Sequence, residues 1–362
     1  MKASFQKHIL NFKIPSGTSR GILTQKESWF LILEENGKKG IGECGILRGL
    51  SIDDRPDYEK KLEWTSKNVH LGEKNLLKEL EEFPSIQFGV EMAFRSLNSA
   101  TPFELFPSEF TRGEESIPIN GLVWMGEPSF MKKQIREKIN SGFSCIKLKI
   151  GAISFETEIE LLKGIRKEFS SDDIEIRVDA NGAFSASEAM EKLKILHDFQ
   201  LHSIEQPIKQ GQMEEMAEIC EKSPLPVALD EELIGIMDVT EKQKLLQMIK
   251  PQYLIFKPSL LGGMHATEEW LKLAEQQQVG WWVTSALESN IGLNAIAQFT
   301  FHLLKKYRKM PFLDNNKNNF SGEIMPQGLG TGSLYTNNFD SPLRVENGKL
   351  HYQTQNHWNF NL

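Results

Sequence analysis

The sequence predicts an α/β fold: a closed barrel of parallel strands wrapped in helices, preceded by a separate α+β unit. Three observations carry that expectation. Short β-branched runs alternate with amphipathic stretches between residues 119 and 285. Five of the seven runs end at or beside a charged residue. No GxGxxG follows the first of them, which favours a barrel over an open dinucleotide-binding sheet.

Taken in order, residues 1–114 read as the α+β unit. Ser28 to Leu33 has the make-up of a strand, Gly37 to Gly40 supplies a turn, and Gly42 opens a second extended segment, which together suggest an antiparallel hairpin. Tyr58 to Asn98 is helix-rich, with Phe88, Glu91, Met92 and Arg95 at helical spacing. Residues 115–320 form the barrel region, whose expected strands are INGLVW (119–124), CIKLKI (145–150), IEIRVD (174–179), HSIE (202–205), PVALD (226–230), YLIFK (253–257) and WWVTS (281–285). Between them Phe155, Ile159, Leu162 and Phe169 make one apolar helix stripe, and Ser185 with Glu188 forms a capping box. Residues 321–362 are rich in Asn and Gly and are expected to return to the first unit. The GLGTG run at 328–332 reads as a plain glycine loop, since no Lys-Ser/Thr pair follows it.

Bulk properties narrow the function. The 362 residues are 40% hydrophobic and 25% charged, enough for one large and one smaller packed unit. No apolar run approaches the roughly 18 residues of a membrane span, and Met1 to Phe12 lacks a secretory h-region, so neither membrane insertion nor export is expected. Cys44, Cys145 and Cys220 are odd in number and far apart, which argues for free thiols in a reducing cytoplasm rather than disulfides or zinc. A net charge of −7 leaves no basic stripe for nucleic acid. Nothing in the sequence decides between a monomer and a homo-oligomer.

The chemistry lies at the strand ends. Lys149, Asp179, Glu205, Asp230 and Lys257 follow one another at steps of 30, 26, 25 and 27 residues. Each step is about one βα unit of a barrel, roughly 30 residues, so the five charges should converge on the C-terminal rim, where barrel enzymes do their chemistry. Such crowding is costly unless a cation and a substrate neutralise it. Asp179, Glu205 and Asp230 offer only hard oxygen donors, which select Mg²⁺, with Mn²⁺ as a substitute. Lys147 and Lys149 share parity and should both face inward, with Lys257 opposite. A nearby cation and neighbouring ammonium groups are expected to depress a lysine pKa toward that of a general base. The implied substrate is a small carboxylate whose α-proton is removed to give an enediolate.

On KLK (147–149), VDANGA (178–183), IEQP (204–207), ALDE (228–231) and FKPSLLGG (256–263), the chain resembles the enolase superfamily and its muconate-lactonizing subgroup. The resemblance implies a (β/α)7β TIM-like barrel with an N-terminal capping domain. It also implies Asp179, Glu205 and Asp230 as Mg²⁺ ligands and Lys149 and Lys257 as the acid/base pair. Within the subgroup, TSRGILTQK (18–26), PSIQFGVEMA (84–93), INGLVWMG (119–126), SALESNIGLNAIAQF (285–299) and QGLGTGSLYTNN (327–338) are similar to the o-succinylbenzoate synthases of menaquinone biosynthesis, in the form found in Bacteroidetes. That family dehydrates SHCHC, a cyclohexadiene carboxylate. The same resemblance implies a mobile cap loop at 16–26 bearing Arg20, with Lys147, Arg20 and Ser285 contacting substrate. An N-succinylamino acid racemase or dipeptide epimerase of the same superfamily would use the same lysines and stays an alternative.

Overall fold

The chain opens with a longer strand than its sequence suggests. The computed structural model describes residues 1–18, 21–307 and 324–361. It begins with β1 (Lys2–Thr18), β2 (Gly21–Glu35) and β3 (Lys38–Gly45), paired antiparallel in that order. The expected hairpin is β2 and β3, and β1 is additional to it. One strand serves two cores: Ala3 and Phe5 pack with Trp29, Leu31 and Leu33, whereas Leu10 and Phe12 pack with Tyr335. The inward parity therefore changes along β1, and its alternation does not read as a single strand. Segment 16–26 is strand as far as Thr18 and again from Gly21, rather than the expected loop. Arg20 lies outside the described residues.

Helices α1 (Tyr58–Lys67), α2 (Glu73–Glu79) and α3 (Pro84–Asn98) complete this cap. Ile86, Val90, Ala93 and Leu97 recur at intervals of three and four, and they turn one stripe of α3 to the core it shares with β2. Phe88 and Met92 face the barrel core instead, so α3 is buried on both sides.

After the short β4 (Ile117–Pro118) come the parallel strands β5 (Gly121–Val123), β6 (Cys145–Lys149), β7 (Glu175–Asp179), β8 (Ser203–Glu205), β9 (Val227–Leu229), β10 (Tyr253–Phe256) and β11 (Gly280–Val283). They pair side by side in sequence order. Around them run α4 (Pro128–Asn140), α5 (Phe155–Glu168), α6 (Ala186–His197), α7 (Met213–Lys222), α8 (Val239–Ile249), the single turn α9 (Pro258–Leu261), α10 (Gly263–Gln276) and α11 (Asn290–Tyr307). Ser185 and Glu188 form their capping box, while Phe169 caps the end of α5 instead of extending it.

Gln327 and Gly328 close the sheet. Gln327 donates to Pro118 O (2.8 Å) and accepts from Asn120 N–H (2.9 Å); Gly328 donates to Val283 O (2.8 Å) and accepts from Ser285 N–H (3.1 Å). This two-residue wall bridges the first and last strands, so the start of the GLGTG run is barrel wall rather than a plain loop. A Cβ at Gly328 would collide with the Thr284 side chain, which is why glycine stands there. The chain then returns to the cap, where Tyr335 bridges Phe12 and Phe339 packs edge-on against Phe30 at 5.2 Å. It ends in the hairpin β12 (Leu343–Glu346) and β13 (Lys349–Tyr352), which pairs with β4. Among the described residues no helix is long and apolar enough to cross a membrane.

Candidate active site

Strand parity brings the site together. Ile146 and Leu148 of β6 join the core under the helices, and Lys147 and Lys149 turn into the barrel. Register places Lys149 opposite Asp179, and Asp179 opposite Glu205, along one row of the sheet. Asp230 follows the end of β9, and Lys257 follows β10 as the N-cap of α9. In sheet order β7, β8 and β9 lie between β6 and β10, so Lys149 and Lys257 flank the three acids from opposite sides.

All five residues are at most 9% exposed. Lys149 Nζ contacts Asp179 Oδ2 at 2.6 Å and Asn181 Oδ1 at 2.7 Å. Lys147 Nζ reaches Asp179 Oδ2 at 2.8 Å and also pairs with Glu205, while Lys257 pairs with Asp230. Burial, helped by the negative charges of Asp179 and Asp230, pushes the Glu205 carboxyl well up. Burial opposes the charge on Asp179 too, but the Lys147 and Lys149 ammoniums outweigh it and hold that acid well below the usual range. Lys147 and Lys257 are both held toward their charged forms. Burial disfavours each ammonium, yet the facing acids, Asp179 and Glu205 for the first and Asp230 and Glu205 for the second, raise both.

The donor chemistry suits a hard divalent cation. Glu205 Oε1 is buried without a hydrogen-bond partner, and the repulsion that lifts this carboxyl is what a cation would relieve. The three acids are not drawn into a ready-made cage: among the described residues no three His, Cys, Asp or Glu side chains are so arranged, and ammonium groups stand between these acids.

Above the acids lies a cavity of about 170 Å³, lined by Lys147, Lys149, Lys257 and Ser285. Ser285 Oγ hydrogen-bonds Thr331 Oγ1 at 2.7 Å, tying the end of β11 to the closing segment. The cap contributes Ile22 and Leu23 of β2 and Leu47, Arg48 and Leu50 beyond β3. Asn120, Leu122 and Trp124 also line the cavity, and their i, i+2, i+4 spacing was the signal that could have found them. Arg48, paired with Glu27 and Asp54, lies in an aperiodic stretch that carries no such signal. Leu287 lines the wall at φ 62, with its carbonyl held by Tyr335 Oη at 2.6 Å. Glu288 beside it accepts from Ala286 N–H (2.7 Å) and Ser259 Oγ (2.5 Å), linking that wall to the turn after Lys257.

This arrangement, a capped barrel with acids on successive strand ends between two lysines, accords with the family comparison. The Enolase C-terminal domain-like model matches residues 131–356, and the chain belongs to that family, within the enolase superfamily. It is 44% identical to the o-succinylbenzoate synthase of Desulfotalea psychrophila over 97% of this chain and 98% of that protein. The crystal structure of MenC from Desulfotalea psychrophila LSv54 superposes with a TM-score of 0.82 at 41% identity, covering 97% of this chain and 99% of that one. The L-Ala-D/L-Glu epimerase of Bacillus subtilis, at 18% identity, shares the fold with a TM-score of 0.78 over 97% of this chain and 96% of its own.

Proposed function

We infer that this chain catalyses the o-succinylbenzoate synthase reaction of menaquinone biosynthesis, the syn-loss of water from SHCHC to give 2-succinylbenzoate. The observation that carries the reading is 44% identity to such an enzyme across 97% of the chain. Asp179, Glu205 and Asp230 are the residues that would hold Mg²⁺, or Mn²⁺ in its place. When bound, the ion offsets the negative charge that builds on the substrate carboxylate as the α-proton leaves.

The protein's own groups do the rest. Lys149, as the free amine, takes the proton α to the carboxylate, and the resulting ammonium protonates the departing hydroxyl on the same face, so that water leaves and the ring becomes aromatic. Lys257, whose ammonium form the surrounding acids favour, stays protonated and steadies the enediolate from the other face. Lys147 and Ser285 line the pocket for substrate contact, and the family resemblance adds Arg20 as a further substrate contact. Three buried free cysteines accord with a cytoplasmic location.

The test is an assay of SHCHC with Mg²⁺, following loss of the diene absorbance. Lys149→Ala and Lys257→Ala should each lower kcat/KM by about 10²–10⁴-fold, the usual worth of a positioned acid or base. Deuterium exchange into N-succinylamino acids without turnover of SHCHC would instead favour the racemase.

A further inference from the structure

The cap docks on the barrel through two buried carboxylates, each seated on the start of a different barrel helix. Glu91 of α3 is 5% exposed; its Oε2 accepts Met264 N–H and its Oε1 accepts His265 N–H at 3.1 Å, in the first turn of α10. Helix α10 has no capping side chain of its own, and a Cβ at Gly263 would run into the Glu91 carboxylate. Glu43 of β3, fully buried, does the same for α11. Its Oε1 accepts Ser289 N–H at 2.9 Å, and its Oε2 accepts Gly292 N–H at 2.8 Å and Ser289 Oγ at 2.5 Å. The first N–H groups of a helix have no partner within it and carry partial positive charge, so a carboxylate there both satisfies and anchors them.

The two helix starts hold different parts of the site. Just before α10 stands α9, whose N-cap is Lys257 and whose first turn is closed by Leu260 N–H on Lys257 O at 2.8 Å. Just before α11 runs the wall formed by Ser285, Ala286 and Leu287. We propose that Glu91 and Glu43 are positioning residues: the first holds the turn that aims Lys257, the second holds the cavity wall at 285–287, and cap docking sets both. The role of Lys257 rests on the function proposed above.

The two acids should separate kinetically. Lys257 meets charge that develops in the transition state, whereas the wall contacts substrate throughout. Full-length Glu91→Gln, Glu91→Ala and Glu43→Gln are assayed with SHCHC and Mg²⁺, with rates expressed per folded molecule, alongside amide hydrogen exchange. Glu91→Gln should lower kcat about tenfold with KM within about twofold, and Glu91→Ala should lower kcat further because no accepting oxygen remains. Glu43→Gln should raise KM about tenfold with kcat within about threefold. Exchange should quicken at Met264 and His265 in the Glu91 variants, and at Ser289 and Gly292 in the Glu43 variant. Unchanged kcat and KM per folded molecule, or the same parameter shifted in all the variants, overturns the proposal. If the wild-type chain does not turn over SHCHC, the proposed function fails. Hydrogen exchange then decides the anchoring alone: acceleration confined to one helix start supports it, and uniform or absent change overturns it.

Discussion

Arg177 shows how one side chain can stabilise the barrel floor. Two residues before Asp179 on β7, it faces inward, stacks 4.3 Å above Trp282 and donates to Glu175 Oε1 at 2.7 Å and to Pro326 O at 2.9 Å. Burial works against the Glu175 charge, but Arg177 and His202 outweigh it and lower that carboxyl to about 2. A folded pKa below the unfolded value of 4.5 means that the charge stabilises the fold above that pH, and that this stabilisation is lost as pH falls toward about 2. The Glu175 side chain is 32% exposed, so water screens part of the interaction and about 1–2 kcal/mol is expected at neutral pH. Denaturant unfolding of wild type and Glu175→Gln should differ by that amount at pH 7, and the gap should narrow below about 4.5 and close only as the pH falls toward 2. The inward parity of Lys147 and Lys149 was readable because lysines two apart on a strand share a face, and the apolar residues between and beside them claim the face under the helices. Arg48 was not readable: only the folded cap brings it to the cavity.

Among elements, the barrel strands were legible and the wall that closes them was not. β6 to β10 each carry three to five buried or half-buried residues ending at or beside a charge, a pattern that survives in the chain as local composition. Gln327 and Gly328 join the segment before β5 to the end of β11 mainly through backbone hydrogen bonds, with the Gln327 side-chain oxygen accepting Val283 N–H at 2.8 Å, and such pairing leaves little trace in residue type beyond the glycine and that one amide. Likewise β1 was hidden because it changes partners along its length. Gly328→Ala should push Thr284 aside and loosen the closure, at a cost of about 1–3 kcal/mol. A thermal melt showing an unaltered midpoint would contradict that.

Across the molecule, charge and cap act together on one cavity. On the proposed assignment of Mg²⁺ to Asp179, Glu205 and Asp230, dialysis against a chelator should abolish turnover and lower the melting temperature, because the charges that lift the Glu205 carboxyl would again go unrelieved. Adding Mg²⁺ at about a hundred times its Kd should return about 2.7 kcal/mol, or a few degrees, and Mn²⁺ should substitute. In Asp230→Asn that thermal response should shrink. A barrel of parallel strands and the five charged positions could be read from spacing, and the (β/α)7β plan from the family resemblance, but the way the cap is anchored could not, since Glu43 and Glu91 look like ordinary surface acids until the helices they cap are in place.

The late position of the closing wall bears on how the polypeptide is made. On the ribosome Lys149, Asp179, Glu205, Asp230 and Lys257 emerge well before residues 327 and 328, so a nascent chain carries all five charges on a sheet with two raw edges, β5 and β11. Until residues 327 and 328 have been made those edges invite pairing with other chains, and a product released before them would be prone to aggregate.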